Sequence, residues 1–351
     1  MFRFPFSFWF FRMNLPVDQQ TSLSSTWLSR RRALSFLAAS PWGLSGLAGA
    51  AETRGPMRFV VGFPPGGGGD MLARTLAEQL KSAYEPLVVD NRPGAGSRIA
   101  LEYVKNAKND GSVLIFAPDF TLTMFPHIYS HLSYDPLRSF TPVATLAESV
   151  IALTVGPLVP DSVKTLSDYV RWVKQGPKVA HYGTGGAGSL MDIAGKLFGR
   201  AAGIEVNHVA YRGGAPAIQE LVGGQIPAAI TGVLEPREFV RAGKLRVLAT
   251  SGPRRWRTYP DVPTFVEAGY RDLMIVSWFA LLAPADTSAP IIERINAQVN
   301  SALNSPAVTR TFDEFGVDAV VSKPAETAAL IRKDHNRWGE VIRSLGYVPE
   351  A

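Results

Sequence analysis

The sequence repeats one order of elements after residue 58: an apolar strand, a glycine-rich loop and an amphipathic helix. In the first repeat, residues 59–63 form an apolar run, residues 64–69 read Pro-Pro-Gly-Gly-Gly-Gly, and Asp70 opens a helix with leucines on one face. Chains that alternate strands and helices in this way build a mainly parallel sheet with helices on its faces. The sequence therefore predicts an α/β fold.

The repeats form two series, and an apolar run follows each of them. We predict strands at residues 59–63, 86–89, 113–117, 179–182, 207–211, 228–231 and 245–250, and helices at 70–80, 99–106, 189–202, 216–222, 290–303, 306–315 and 324–344. The apolar runs are residues 150–155 and 274–283, and a pair of such segments can serve as a hinge. We predict a discontinuous first lobe, residues 56–150 plus 283–351, and a second lobe, residues 156–277, joined by two strands.

The first 51 residues have the features of an export signal. Arginines at positions 30–32 precede an apolar stretch, residues 33–51, which ends in the small residues Ala48-Gly49-Ala50. A membrane-spanning helix is the alternative, but Pro41 and several glycines interrupt the stretch, which is barely long enough to cross a bilayer. We predict cleavage close to Ala51 and a periplasmic location. Twin-arginine and Sec export both stay open, as does a start at Met13.

The charge and the cysteine content exclude several classes of partner. The chain has 36 basic and 30 acidic residues, of which residues 1–51 hold five and one, so 31 and 29 stay in the predicted mature part. This small, scattered excess offers no basic patch to nucleic acid. Without cysteine there is no disulfide, thiolate metal site or lipid-modified cysteine. We expect an exported monomer that is free in solution and has neither cofactor nor metal.

The first glycine loop, residues 66–69, is a candidate anion site. It stands directly before a helix, where the first N–H groups have no intrahelical partner and the helix dipole favours negative charge. Glycine leaves the backbone open to a ligand. One alternative is that these glycines only turn the chain. The loop is not a Walker A motif, because Asp70 stands where that motif needs a lysine. An alternative role for Asp70 is to cap the helix.

The second glycine loop, residues 183–188, reads Gly-Thr-Gly-Gly-Ala-Gly and matches the dinucleotide fingerprint. That fingerprint requires an acidic residue at the end of the next strand. Here Glu205 precedes the strand, and His208 and Tyr211 close it. No nucleophile elbow or zinc-protease motif occurs in the sequence. The sequence therefore predicts a binding protein without a catalytic site.

A series of short motifs follows in a fixed order along residues 61–284. They are Val61-Gly62-Phe63-Pro64-Pro65-Gly66-Gly67, Asn91-Arg92-Pro93-Gly94-Ala95-Gly96, Tyr134-Asp135-Pro136, Tyr182-Gly183-Thr184-Gly185-Gly186-Ala187-Gly188-Ser189, Tyr211-Arg212-Gly213-Gly214-Ala215-Pro216, Gly223-Gly224-Gln225, Asp261-Val262-Pro263-Thr264, and Trp278 before Ala283-Pro284. In this order and spacing, the whole mature chain resembles the Bug family, the substrate-binding proteins of tripartite tricarboxylate transporters.

The resemblance implies a type II periplasmic-binding-protein fold, with two α/β lobes that close on a ligand like a Venus flytrap. It also implies capture of a small carboxylate and its delivery to a separate membrane permease. The ligand-binding residues that it implies are Phe63, Pro65, Gly66, Gly67 and Asp70 on the first lobe, and Thr184, Gly188, Ser189, Tyr211, Gly213 and Ala215 on the second.

One departure from the family pattern bears on the ligand. Many relatives carry an Asp at the position of Thr231, and a threonine cannot counter a ligand ammonium. A plain carboxylate is therefore favoured over an amino acid. Two other classes stay open: a ligand sensor that feeds a signalling partner, and an exported α/β enzyme that uses the same cleft. We also expect Gly66→Val and Gly188→Val to weaken carboxylate binding with little loss of stability.

Overall fold

The computed structural model describes residues 56–176 and 179–346, except for the side chain of Val179. The predicted export signal at residues 1–51 lies outside the described residues. Within the described part, none of the helices combines the length and apolar character that a bilayer crossing requires.

The described residues form an α/β fold, as the sequence predicts. The strands are β1 Met57–Val61, β2 Leu87–Asn91, β3 Val113–Pro118, β4 Phe140–Val155, β5 Val179–Thr184, β6 Glu205–Ala210, β7 Ala228–Gly232, β8 Arg246–Thr250, β9 Val276–Pro284 and β10 Asp318–Ala319. The helices are α1 Gly68–Leu80, α2 Arg98–Lys105, α3 Phe120–Thr123, α4 Phe125–Ile128, α5 Leu166–Gln175, α6 Leu190–Ala202, α7 Gly214–Val222, α8 Arg237–Arg241, α9 Ala289–Leu303, α10 Pro306–Glu314 and α11 Pro324–Ser344.

The strands form one mixed sheet in the order β2-β1-β3-β9-β4-β7-β5-β6, with β8 and β10 also paired to β4. Its two ends are parallel: β1 pairs with β2 and β3, and β5 pairs with β6 and β7. Each parallel end therefore gathers the carboxyl ends of its strands, where loops bind ligands in open α/β sheets. The middle of the sheet is antiparallel, because β9 runs between β3 and β4.

Strand β4 links the two ends of the sheet. Its residues 140–150 pair with β9, whereas residues 151–155 pair with β7 and β8. Both apolar runs of the sequence contribute to this central pair, since residues 150–155 end β4 and residues 276–283 belong to β9. The lobe boundaries and the hinge that the sequence predicts stay predictions.

Among the described residues, five apolar cores lie against the sheet, and three of them are much larger than the other two. Helices α1, α9 and α10 cover one face of β1 and β3, and α2 covers the other face together with Ile331 of α11. The largest core surrounds β5 and α6 and includes Trp338 and Ile342, which lie near the end of α11. Helix α11 therefore packs at its start against the first series of elements and at its end against the second.

Candidate functional site

The loop between β1 and α1 is held by a buried aspartate. Asp70, the third residue of α1, accepts hydrogen bonds from the Gly66 N–H at 2.8 Å, Arg74 Nε at 2.8 Å and Asn91 Nδ2 at 2.7 Å. Burial opposes ionisation of Asp70, but these donors outweigh it and hold the pKa of the carboxyl below its ordinary value. Asp70 therefore shapes the loop as an anion whose two oxygens already face protein donors.

The loop between β5 and α6 is held in the same way. Asp192, the third residue of α6, accepts hydrogen bonds from the Gly188 N–H at 2.9 Å, Lys196 Nζ at 3.1 Å and the Tyr182 hydroxyl at 3.1 Å. His208 Nδ1 lies 3.5 Å from the second Asp192 oxygen. Like Asp70, Asp192 is only 1% exposed.

The two loops therefore share one design. In each, a buried aspartate at the third helical position binds the N–H of the glycine four residues earlier and a basic side chain four residues later. In each, the strand that follows the helix supplies a further side chain, Asn91 after α1 and His208 after α6. Asp192 was not among the residues predicted from the sequence, although Gly188, Asp192 and Lys196 repeat the spacing of Gly66, Asp70 and Arg74.

The free donors of these loops are the next N–H groups along each helix. Because the first N–H groups of an α-helix have no intrahelical acceptor, Gly68 and Gly69 at α1 and Leu190 and Met191 at α6 can donate outward. The helix dipole adds positive potential at the same points. Each loop can thus hold an anion without a lysine or arginine.

Glycine is required at the centre of both loops. Gly66 has φ of +81° and Gly188 has φ of +69°, in the left-handed region that side chains with a branched Cβ avoid. A valine at either position would be strained by about 1–3 kcal/mol. The expectation that Gly66→Val and Gly188→Val cost little stability is therefore wrong.

A cavity of about 570 Å³ lies in front of the α6 loop. It is lined by Phe63, Phe120, Phe125, Ile128, Tyr129, Ala187, Gly188, Ser189, Leu190, Met191, Glu235, Ser277 and Phe279. Of the predicted ligand-binding residues, it brings together Phe63, Gly188 and Ser189. Most of its wall is aromatic or aliphatic, and the lining residues within the described part of the chain include no Lys, Arg or His.

The other predicted residues of the second series support the loop behind this cavity. Thr184 is buried, and its hydroxyl lies 2.7 Å from His208 Nε2 and 3.1 Å from the Gly186 carbonyl oxygen. The Tyr211 N–H donates to the Thr184 carbonyl, and the Gly213 N–H donates to the Gly185 carbonyl. These contacts tie the loop after β6 to the loop after β5.

The remaining predicted residues lie on loop and helix surfaces. Pro65 and Gly66 are exposed on the first loop, and Gly67 is the residue before α1. Ala215 is exposed in the first turn of α7. None of these four belongs to the cavity lining in this structure.

Several lining residues were not predicted from the sequence. Phe120, Phe125 and Tyr129 follow the end of β3. The Phe125 ring contacts the other two, with centroid separations of 5.2 Å to Phe120 and 5.0 Å to Tyr129. Glu235 follows the end of β7, a position at which a polar side chain signals a binding role. Although solvent reaches Glu235 from the cleft, the protein around its carboxyl partly desolvates it and raises its pKa, against the stabilising effect of the Thr231 hydroxyl and the Gly232 backbone.

Strand-end loops and the N-terminus of α6 line one cavity, an arrangement that suits an anionic small-molecule ligand. The family model for the tripartite tricarboxylate transporter family receptor matches residues 71–347, and the chain belongs to this family. The resemblance seen in the sequence and the predicted fold class are both confirmed.

Relatives and solved structures agree with this assignment. The chain is 31% identical to protein BugT of Bordetella pertussis over 293 residues, which are 83% of this chain and 89% of BugT. It is similar to Rpa4515 of R. palustris, solved with adipate, at a TM-score of 0.73 and 30% identity over 84% of this chain and 99% of that one. It is also similar to MatC of Rhodopseudomonas palustris with bound malate, at a TM-score of 0.68 and 29% identity over 82% and 99% of the two chains.

Proposed function

We propose that the protein is a periplasmic solute-binding protein that captures a small carboxylate in the cavity at the α6 loop and delivers it to a tripartite tricarboxylate-type permease. The observation that carries the proposal is the open N-terminus of α6 at the cavity, where Ser189, Leu190 and Met191 line the wall. Backbone N–H groups at this point suit a carboxylate. The adipate and malate in the two related structures support the same ligand class.

The predicted ligand-binding residues divide into three roles under this proposal. Phe63, Gly188 and Ser189 contact the ligand directly, together with the aromatic wall. Pro65, Gly66, Gly67, Tyr211, Gly213 and Ala215 approach it when the two sides of the cleft close. Asp70 and Thr184 hold the loops in place from behind.

Rough energetics are consistent with binding by backbone donors. Micromolar affinity corresponds to about 8 kcal/mol. Hydrogen bonds to a charged group contribute about 1.5–3 kcal/mol each, so several N–H and hydroxyl donors can supply this and still offset the cost of association. The aromatic wall adds the burial of an apolar ligand body.

The test is a thermal-shift screen of C4 to C8 mono-, di- and tricarboxylates, aromatic acids and amino acids. A ligand at 100 times its dissociation constant should stabilise the folded state by about 2.7 kcal/mol, a readily detected shift. Amides of the same acids serve as controls, because they lack the charge that the helix N-terminus recognises. A protein that responds to none of the acids, or equally to acids and amides, contradicts the proposal.

Closure of the cleft is a second expected result. A carboxylate that contacts both loops gains its second set of donors only in a closed state, so binding should shift the population toward closure. Solution scattering should then give a smaller radius of gyration with saturating ligand than without it. A carboxylate that fails in the thermal-shift screen should leave the scattering unchanged. If a tight ligand leaves it unchanged as well, and the free protein scatters as an open form, the site lies within one side of the cleft.

A further inference from the structure

Glu235 is the acidic side chain in the wall of the cavity. It follows β7 and shares the cavity with Ser189 at the α6 loop. Solvent reaches it from the cleft. Among the residues that the structure describes, no Lys, Arg or His forms an ion pair with its carboxyl. The Thr231 hydroxyl and the Gly232 backbone stabilise this carboxylate, but no cation balances its charge, so a donor on the ligand can still bind it.

The fold makes room for this carboxyl at a defined place. Gly214 begins α7, and a Cβ built on Gly214 would overlap the Glu235 carboxyl. The carboxyl group therefore lies directly against the first turn of α7, where the helix dipole favours its negative charge. The absence of a side chain at Gly214, on a separate element, therefore leaves the space that the Glu235 carboxyl occupies. Solvent reaches this carboxyl, but its contact with α7 gives it a defined position.

The rest of the cavity offers little to a second ligand carboxylate. The Ser277 hydroxyl already donates to Asp119 at 3.0 Å. The remaining lining side chains beyond the α6 loop are aromatic or aliphatic, apart from the Tyr129 hydroxyl and Glu235. A ligand held by one carboxylate at α6 would thus place its far end among apolar groups and one protein carboxylate.

We propose that Glu235 is a specificity determinant, which selects a monocarboxylate with a hydrogen-bond donor at its far end and disfavours a second carboxylate. This inference rests on the proposed carboxylate-binding function. The donor is a hydroxyl or an ammonium group, since either can bind a carboxylate oxygen. The sequence predicts a plain carboxylate in preference to an amino acid, because Thr231 cannot counter a ligand ammonium. Glu235, four residues later, supplies the negative charge that Thr231 lacks.

The test compares six-carbon acids that differ only at the far end: 6-hydroxyhexanoate, 6-aminohexanoate, hexanoate and adipate, with the corresponding C4, C5, C7 and C8 series beside them. Like charges brought together at a binding interface repel, so the native protein should bind the best donor-bearing acid about tenfold or more tightly than the matched dicarboxylate. Glu235→Gln should bring the ratio of these two affinities close to one or invert it. The hydroxyl and amino arms then show which donor Glu235 binds.

Two further variants make the outcome unambiguous. Glu238→Gln removes the same charge from an exposed glutamate paired with Arg237 and Arg241, and it should leave the ligand ratio unchanged. Gly214→Ala should displace the Glu235 carboxyl and change the ratio in the direction of Glu235→Gln. Dicarboxylates that bind native protein as tightly as the donor-bearing acids, or an unchanged ratio in Glu235→Gln, would overturn the inference while the carboxylate-binding function stands. Absence of binding by every carboxylate would instead contradict the function itself.

Discussion

Replacing Asp119 by asparagine should increase the free energy of unfolding at pH 8 by about 4 kcal/mol, and by only about 1.5 kcal/mol at pH 5. Asp119 is 2% exposed and follows the end of β3. Its carboxyl accepts a hydrogen bond from the Ser277 hydroxyl, but burial, with a smaller contribution from Asp334, raises its pKa to about 7. Between about pH 4 and pH 7, Asp119 therefore stays protonated in the folded protein, whereas the same aspartate is ionised in the unfolded chain.

The sign of the pH effect follows from that proton. An unfolded aspartate titrates near pH 4, so between about pH 4 and pH 7 the folded state binds more protons than the unfolded state. Stability associated with Asp119 therefore falls as pH rises through this window and is lost above it. Asparagine keeps the acceptor for Ser277 and has no charge to bury, so the variant avoids this loss.

Denaturant unfolding of the two proteins at pH 5 and pH 8 measures the difference. Asp261→Asn, which changes an exposed aspartate, is the control and should have little effect at either pH. If Asp119→Asn is no more stable than the native protein at pH 8, Asp119 is ionised there without penalty, and water or a cation reaches it.

The parallel ends of the sheet were predictable because each of their elements carries its own local signal. The proline at the start of α9, α10 and α11 and the apolar run of β1 are visible within a few residues. Strand β10, by contrast, consists of two residues, Asp318 and Ala319, and exists only through pairing with β4. The antiparallel insertion of β9 between β3 and β4 is likewise a long-range choice that periodicity cannot reveal.

The candidate site was predictable where backbone conformation decides the residue type. Glycine at positions 66 and 188 is required by positive φ, and that requirement is readable as a glycine loop before a helix. Glu235 is marked in the sequence only by its place after the end of β7, because its role depends on Gly214 of a different element and on a cavity that folding assembles. Asp119 and Ser277 are 158 positions apart in the sequence, and only the alignment of β9 beside β3 brings them together.

The shared design of the two loops implies a large effect at Asp192. Asp192→Ala should decrease the free energy of unfolding by about 2–4 kcal/mol, because the Gly188 N–H and the Lys196 ammonium lose a charged acceptor in a buried place. It should also weaken carboxylate binding about tenfold or more, since the loop that positions the Leu190 and Met191 N–H groups loses its anchor. Denaturant unfolding and calorimetry on the same preparations give the two values.

A matched control exists in α5, away from the cavity. Asp168 is also the third residue of its helix and forms a capping box with Thr165, so Asp168→Ala should destabilise the fold less than Asp192→Ala and leave ligand affinity unchanged. Should Asp192→Ala fail to fold, Asp192→Asn keeps the size and one acceptor and should show the same weakening of binding to a smaller degree. Carboxylate affinity that survives intact in a folded Asp192 variant would mean that the α6 loop does not hold the ligand, and the binding site would then have to be sought at the α1 loop, where Asp70 repeats the same arrangement.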